Sequence, residues 1–574
     1  MAGKPKAGFW IVMFLVVAAL VGYALSRAGF LGKGANAPAD QAPGQVSSQA
    51  DANALTITFY SSSAKKAWVN EMVERFNASG EKAGHVPVRV KAIHVTSGES
   101  LDDLKAGRIS PDMWSPGDES WLQLAQAYYR DVKQKKLFER YDDLVNIPLV
   151  IAIWEPMAKA LGYPKPIGWK DVEKLAASAN GWTGLGYPQW GRFRWGHAHP
   201  DANSGYLTVV SEVYAALGKT SGITPDDLKK ESVVTFLRSF EGAVEHYGLS
   251  NTWIDDLMHQ KGPAYLSACV QYENTIIESN TRYENKPFKL VAVYPTEGMF
   301  WTRHPLAILD GDKMTPEKKA ACEKFRDFLL SEPAQRKAME MGLRPIRKDL
   351  ALAAPFDEAH GVMATVPMDK AFAVPEESVL KRVRDLWEEV KVPATIIMLL
   401  DRSGSMRGEP IDKAKQGAVE FIKSMKPRDQ IQVVAFNNQV TPLTDLCFIR
   451  DCGEKALEMV QDIFASDGTS LYDALGAAYA TVLKMEKAGN QRRRYAVLVL
   501  SDGVDTSSHA ARQDVEDLLP RGEDFDAPKI YTIAYGGEAD KELLTVLATK
   551  TNARLFSSTV EEIGKTYREL SANF

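Results

Sequence analysis

Apolar residues are distributed differently in successive parts of this chain, and each change predicts a different kind of element. Lys4 and Lys6 precede an uncharged apolar run from Phe9 to Leu25, just long enough to cross a bilayer as a helix. From Ala35 to Asn53 the residues are mostly Ala, Pro, Gln, Ser and Asp, and Val46 is the one large apolar side chain. Such a stretch buries no core and predicts a flexible tether. Leu55 to Tyr60 then alternates as a strand, and Ala67, Val69, Met72, Val73 and Phe76 recur behind it at helical spacing. A second strand is predicted over Val88 to Val95, with a helix starting near Glu99. Strand–helix alternation continues to about Gly342-Leu-Arg-Pro345 and predicts a parallel, doubly wound sheet. Arg347 to Val374, rich in Ala, Pro and Asp, reads as a connector, and Glu376 to Val390 as a charged helix. Ala394-Thr-Ile-Ile-Met-Leu-Leu400 is almost wholly apolar, as a central parallel strand should be. Further strands are predicted over Ile431 to Phe436, Tyr495 to Leu500 and Lys529 to Tyr535.

Length and charge narrow the picture. At 574 residues the chain divides into roughly three or four compact lobes. An apolar fraction of 45% and a charged fraction of 25% are those of a globular protein. A formal net charge of -5 argues against a nucleic-acid binder, which needs a basic face. The one basic cluster, Arg492-Arg493-Arg494, reads as a solvated strand entrance. Four cysteines are too few for a disulfide scaffold. Cys269 and Cys322 sit in apolar stretches and read as buried thiols, while Cys447 and Cys452 are close enough to pair in an oxidising compartment. Lys4 and Lys6 favour a cytoplasmic amino terminus, which places everything after Arg27 outside the cytoplasm. A cleaved signal peptide is the alternative. Tyr23, Leu25 and Arg27 interrupt the small residues a cleavage site needs, which favours an uncleaved anchor.

Chemistry concentrates where predicted strands end. Asp401-Arg-Ser403-Gly-Ser405 follows the apolar strand, and ligands bind at the carboxyl ends of strands in open α/β sheets. One carboxylate and two hydroxyls on alternate residues suit a hard cation, which prefers oxygen donors. Thr469, in Ser466-Asp-Gly-Thr-Ser470, and Asp502, in Leu500-Ser-Asp-Gly503, add two more oxygens from other loops. With Gly468-Thr-Ser-Leu-Tyr-Asp-Ala-Leu475 these motifs closely resemble the metal-ion-dependent adhesion site of von Willebrand factor type A domains. The resemblance covers about Val392 to Phe574. It implies a doubly wound, Rossmann-like fold, with Asp401, Ser403, Ser405, Thr469 and Asp502 holding magnesium, or calcium or manganese. It also implies that a protein partner's carboxylate completes the metal shell. Asp467 stands where relatives commonly carry a small residue.

The region in front carries hydroxyl-rich helix starts, Ser61-Ser-Ser63 and Thr96-Ser-Gly-Glu-Ser100, after its first two strands. Hydroxyls and free amides at a helix amino terminus cap it and also attract anions. Further motifs follow in series: Pro111-Asp-Met-Trp-Ser-Pro116, Asn146-Ile-Pro-Leu-Val-Ile-Ala152, His199-Pro-Asp-Ala-Asn-Ser-Gly205, Tyr272-Glu-Asn274, Tyr294-Pro-Thr-Glu-Gly298, Phe328 to Arg336, and Gly342-Leu-Arg-Pro345. Their shared order resembles an extracellular solute-binding protein of the molybdate- and sulfate-type group, over about Leu55 to Leu350. That implies two α/β lobes closing on a small anion held near Ser62, Ser63, Ser97 and Gly98, with Ser204 and Tyr272 opposite. Trp182, Tyr187, Trp190, Phe193 and Trp195, with Arg192 and Arg194 between them, could stack a sugar but read rather as a second-lobe core. His197-x-His199 could bind a metal and reads rather as a loop pair.

Enzyme motifs fail. Gly218-Lys-Thr220 mimics the end of a phosphate-binding loop, yet the required first glycine is Val213. There is no His-Glu-x-x-His and no Gly-x-Ser-x-Gly. The sequence therefore predicts a non-enzymatic, membrane-anchored, extracytoplasmic binding and adaptor protein. Its parts are a cytoplasmic terminus (1–7), a transmembrane anchor (8–26), a linker (27–53), a two-lobed periplasmic-binding-protein-like module (54–350), a connector (351–391) and a type A module (392–574). A transport receptor delivering an oxyanion to an importer, and a chelatase-type metal-handling subunit, are the alternatives.

Overall fold

The computed structural model describes residues 54–248, 250–283, 286–311, 313–366, 369–489, 492–520, 527–537 and 539–571. The apolar run Phe9–Leu25 and the tether lie outside the described residues. Among those described, no helix is long and apolar enough to cross a membrane.

Three sheets organise the chain. The fifteen principal strands are β1 (Leu55–Ser62), β2 (Val86–Val95), β3 (Met113–Ser115), β4 (Phe138–Asp143), β5 (Val145–Trp154), β6 (Trp195–Ala198), β7 (Val244–Gly248), β8 (Ala268–Tyr272), β9 (Leu290–Val293), β10 (Pro305–Leu309), β11 (Ala394–Asp401), β12 (Gln430–Phe436), β13 (Arg494–Ser501), β14 (Lys529–Tyr535) and β15 (Leu555–Ser558). The first sheet runs β2-β1-β3-β10-β4, with Lys82–Ala83 beside β2. The second runs β9-β5-β8-β6-β7, and the third β12-β11-β13-β14-β15.

The first two sheets are mixed, which corrects the expectation of purely parallel ones. β10 lies antiparallel to β3 and β4, and β5 antiparallel to β9 and β8. The reason is connectivity. β5 carries the chain from the first lobe into the second, and β10 brings it back. A strand that enters its sheet from the other lobe starts at the end where its neighbours finish, so it must run against them.

The third sheet keeps its central strands parallel, β12 with β11, β11 with β13, and onward to β15. Every residue of β11 is buried. Ile396, Met398 and Leu400 enter one core and Ile397 and Leu399 the other, as a strand covered by helices on both faces requires.

The helix Glu377–Val390 belongs to the core of the solute-binding-like part. Val379, Leu380, Val383, Leu386, Trp387 and Val390 are all buried with it. Their spacing of three and four residues is the apolar stripe of an amphipathic helix.

The basic cluster is no solvated strand entrance. Arg493 donates to the Ala394 and Arg428 carbonyls at 2.6 and 2.9 Å, and Arg494 reaches across to the Glu245 and Val244 carbonyls at 3.1 and 2.7 Å. The Arg494 guanidinium also lies over the Tyr247 ring. Five donors in a planar fork suit Arg494 to free carbonyls at a strand end, which is how the third sheet grips the second lobe.

Trp182, Phe193 and Trp195 are buried, Trp195 stacks on Phe240, and Tyr187 stacks on Trp190, so the aromatic stretch is second-lobe core. His197 sits on β6 rather than on a loop. Cys269 and Cys322 are buried thiols, and Cys447 pairs with Cys452.

Candidate functional site

At the carboxyl end of β11 the side chain of Asp401 turns into a cluster of loops. Its Oδ1 accepts from the Ser403 amide at 2.8 Å and its Oδ2 from the Ser501 hydroxyl at 2.6 Å. The Ser403 and Ser405 hydroxyls stand 3.0 Å apart, and Ser405 donates to Asp502 Oδ1 at 2.8 Å. Such spacings match the edges of an octahedron with oxygen ligands about 2.0–2.1 Å from its centre, the geometry magnesium demands. Burial raises the Asp401 carboxyl above its ordinary range, against the hydrogen bonds it accepts. Asp502 is pushed up to about 6, by burial first and then by Asp401. Two carboxylates that resist ionising side by side, with hydroxyls between them, fit a divalent cation.

The loop bearing Thr469 is fastened beside this cluster. The Thr469 amide donates to Thr506 Oγ1 at 2.9 Å, and its carbonyl accepts from the amides of Thr506 and Ser507. Gly404 donates its N–H to the Asp467 carbonyl at 2.8 Å, an approach that a Cβ on Gly404 would crowd at 3.2 Å. A Cβ on Gly468 would strike Ser507 Oγ at 2.1 Å, so a side chain there would displace that hydroxyl. Asp467 itself has φ +66° and turns its carboxylate to Ser466 and Asn437. Phe464 and Val504, close in sequence to the two outer loops, are 77% and 53% exposed.

A second site lies between the first two sheets, a cavity of about 560 Å³. Ser62, Ser63, Ser97, Ser204 and Tyr272 all line it. Gly98 does not: its N–H donates to the Asp201 carbonyl across the cleft at 3.1 Å. Several of the hydroxyls are already engaged. Ser97 accepts from the Gly117 amide, Ser204 donates to Asn251, and Tyr272 accepts from Asn203. Further bonds tie lobe to lobe, from Trp121 to Asn203 at 2.5 Å and from Asn274 to the Ala64 carbonyl at 3.0 Å.

The sequence reading missed Lys65. It is buried at the cavity wall and donates to Ser62 Oγ at 2.9 Å and the Ser115 carbonyl at 3.1 Å, with His304 Nδ1 at 3.4 Å. None of these partners carries negative charge, and burial pushes the amine well below the ordinary lysine range. An anion in the cavity would favour its charged form. Asn203, Asn251 and Asn274 were also missed, though two of them stand inside motifs noted for their order. His304 could not be found from sequence, because it meets Lys65 from 239 residues away.

Three of the ordered motifs converge on one ion pair. Glu273 accepts from Arg344 at 2.6 and 2.7 Å and from the Tyr294 hydroxyl, and Arg344 also donates to the Ala364 carbonyl. Both partners are almost wholly buried.

Comparisons with known proteins agree with this division. A family profile described as bacterial extracellular solute-binding protein matches residues 57–344, and one described as von Willebrand factor type A domain matches residues 395–569. The chain is 22% identical over 181 residues to the Synechocystis sp. protein sll0103, covering 31% of this chain and 41% of that one. It thus spans less than half the length of that relative. Among solved structures, the ferric binding protein from Campylobacter jejuni aligns at 13% identity and a TM-score of 0.42, covering 58% of this chain and 99% of that one. A von Willebrand factor type A protein from Catenulispora acidiphila aligns at 17% identity and a TM-score of 0.28, covering 32% and 42%.

Proposed function

Because this chain belongs to the bacterial extracellular solute-binding protein family and carries a type A domain behind that module, we propose that it is an extracytoplasmic adaptor. In this reading the type A domain docks a protein partner through a divalent cation held by Asp401, Ser403, Ser405, Thr469 and Asp502. The observation that carries it is the oxygen cluster at the end of β11, with its octahedral spacing and its pair of carboxylates, Asp401 buried and Asp502 half-buried. When bound, the cation supplies a Lewis-acidic position for a partner's carboxylate. Phe464 and Val504, close in sequence to the two outer loops, are exposed apolar side chains for a docking partner to cover. The solute module takes a small anion against Lys65, and the run Phe9–Leu25 anchors the chain in the membrane with both modules outside.

The test is cross-linked capture from membranes with magnesium or with chelator, using the wild-type chain and Asp401→Ala in parallel. A partner recovered only by the wild type and only with magnesium supports the reading. Equal recovery by the variant in chelator contradicts it.

A transport receptor for an oxyanion is favoured by a separate observation, the lobe-to-lobe hydrogen bonds around a cavity that holds a buried amine. Both activities are compatible with one chain, and the capture experiment does not depend on which solute is bound.

A further inference from the structure

The helix Asn203–Leu217 is buried along nearly all its length, and its sequence there is apolar but for Asn203, a few hydroxyls and Glu212. An ionised carboxylate in such a place is costly unless a partner neutralises it. Glu212 faces His197 on β6 and Glu241 on the helix Glu231–Gly242. All three side chains are fully buried, and one donor atom from each lies within 4.8 Å of the others.

Four atoms converge here without hydrogen-bond partners among the described residues: both carboxylate oxygens of Glu212, Glu241 Oε1 and His197 Nε2. The surroundings hold them in place. Tyr247 and Trp387 both donate to the other oxygen of Glu241, at 2.6 and 3.0 Å, which leaves Oε1 turned inward, 3.2 Å from His197 Nε2. His197 Nδ1 lies 2.8 Å from the Ala198 carbonyl. A carbonyl only accepts, so that bond puts a proton on Nδ1 and leaves Nε2 facing the two carboxylates. A metal-binding histidine is oriented in the same way, by a carbonyl on its far nitrogen.

We propose that His197, Glu212 and Glu241 form a buried zinc site, separate from the oxygen cluster at Asp401. Two carboxylates and a dication are neutral together, which a dry interior requires. One imidazole nitrogen with carboxylate oxygens is a zinc donor set. Magnesium keeps its waters and calcium takes six to eight oxygens, so neither suits this enclosure. Zinc ligands at about 2.0–2.2 Å would stand roughly 3.5 Å apart, so His197 and Glu241 are already close enough and the widest separation, within 4.8 Å, needs to close by up to about an ångström.

The site stands at the root of the junction between modules. Glu241 holds Trp387 of the helix leading into the type A domain, and Tyr247 lies beneath Arg494 of β13. An ion there would fasten that helix to the second lobe.

The test uses the full chain carrying Asp401→Ala, so that the other candidate site contributes no ion. After stripping with chelator, incubation with zinc or manganese, and gel filtration, the chain should retain about one zinc per molecule. Its melting temperature should rise with zinc. Glu212→Gln and His197→Gln, each in the same background, should bind zinc at least tenfold more weakly and show no zinc-dependent rise. Retention unchanged in both variants, or no zinc retained by the parent, would overturn the proposal, and so would retention of manganese alone. A Glu212→Gln chain more stable in chelator than its parent, with neither binding zinc, identifies a proton-sharing carboxyl pair instead and also overturns it.

Discussion

The oxygen cluster of the type A domain and the cleft of the solute module differ in how their residues are brought together. At the first, every group hangs from loops at one edge of a single sheet, and β11 is buried along its whole length behind Asp401. The cluster is therefore set as soon as that sheet folds. The cleft is divided between two sheets, and its groups meet only when Gly98 reaches Asp201 and Asn274 reaches Ala64. A site on one rigid edge suits a partner arriving from outside. A site split between lobes suits a ligand that is enclosed.

Damage to the two regions should therefore read differently. The largest effect on folding is expected at the ion pair behind the cleft. Glu273→Ala leaves Arg344 buried and unpaired, which costs about 3–5 kcal/mol. A melt of the full chain should show an early transition from the solute module, while the transition of the type A domain stays where it was. A single transition shifted as a whole would show that the modules unfold together and would weaken the contrast.

Next in size is the cleft's response to solute. A ligand present at a hundredfold excess over its Kd stabilises the native state by about 2.7 kcal/mol. A panel of oxyanions at millimolar concentration should contain one that raises the first transition by that order, and Lys65→Met should abolish the rise while folding normally. Methionine keeps the length of the apolar stem and removes only the buried amine. If no anion shifts the wild-type chain, the cleft is a platform for protein contact rather than a receptor.

The smallest effect is expected at Asp118, which caps the helix Glu119–Tyr128 through the Ser120 amide and is pushed up to about 6 by burial. Its sign is the reverse of the usual aspartate. Between about pH 4 and pH 6 the folded state binds more protons here than the unfolded one, so this group's contribution falls as pH rises. Asparagine caps a helix as well as aspartate and carries no charge. Asp118→Asn should therefore raise the melting temperature at pH 7 and leave it nearly unchanged at pH 4. An equal gain at both would assign the effect to something other than charge.

How much of this was legible in the sequence follows from the same contrast. Asp401, Ser403 and Ser405 are spaced by two and follow an apolar strand, so their shared direction could be read directly, and Thr469 and Asp502 were read as further oxygen donors from other loops, a set the resemblance then matched. In the cleft the hydroxyls at helix starts were visible, but Lys65 was hidden, since a lysine one turn into a helix ordinarily points to solvent. Its burial follows from Ser115, at the end of β3, and His304, just before β10, both distant in sequence. The reversed direction of β5 and β10 was also invisible, because periodicity gives a strand but not its sense. Glu212 offered a signal that went unused, a lone carboxylate in a helix apolar on all sides. Arg493 and Arg494 at the start of β13 were misread because their partners, the Ala394, Arg428, Val244 and Glu245 carbonyls, are backbone groups with no mark in the sequence.

Titration calorimetry of magnesium into the purified full chain, beside Asp401→Ala and Thr469→Ala, tests the central claim most directly. The wild type should bind one magnesium at the type A domain, Thr469→Ala should bind it more weakly because one neutral donor is gone, and Asp401→Ala should show no binding there. Neutral hydroxyls with the single carboxylate of Asp502 compete poorly with water for so strongly hydrated an ion. All three proteins should unfold cooperatively, since Asp401 points into a loop cluster and its loss removes charge rather than core. Magnesium bound by Asp401→Ala as tightly as by the wild type would contradict the account and place docking on another face.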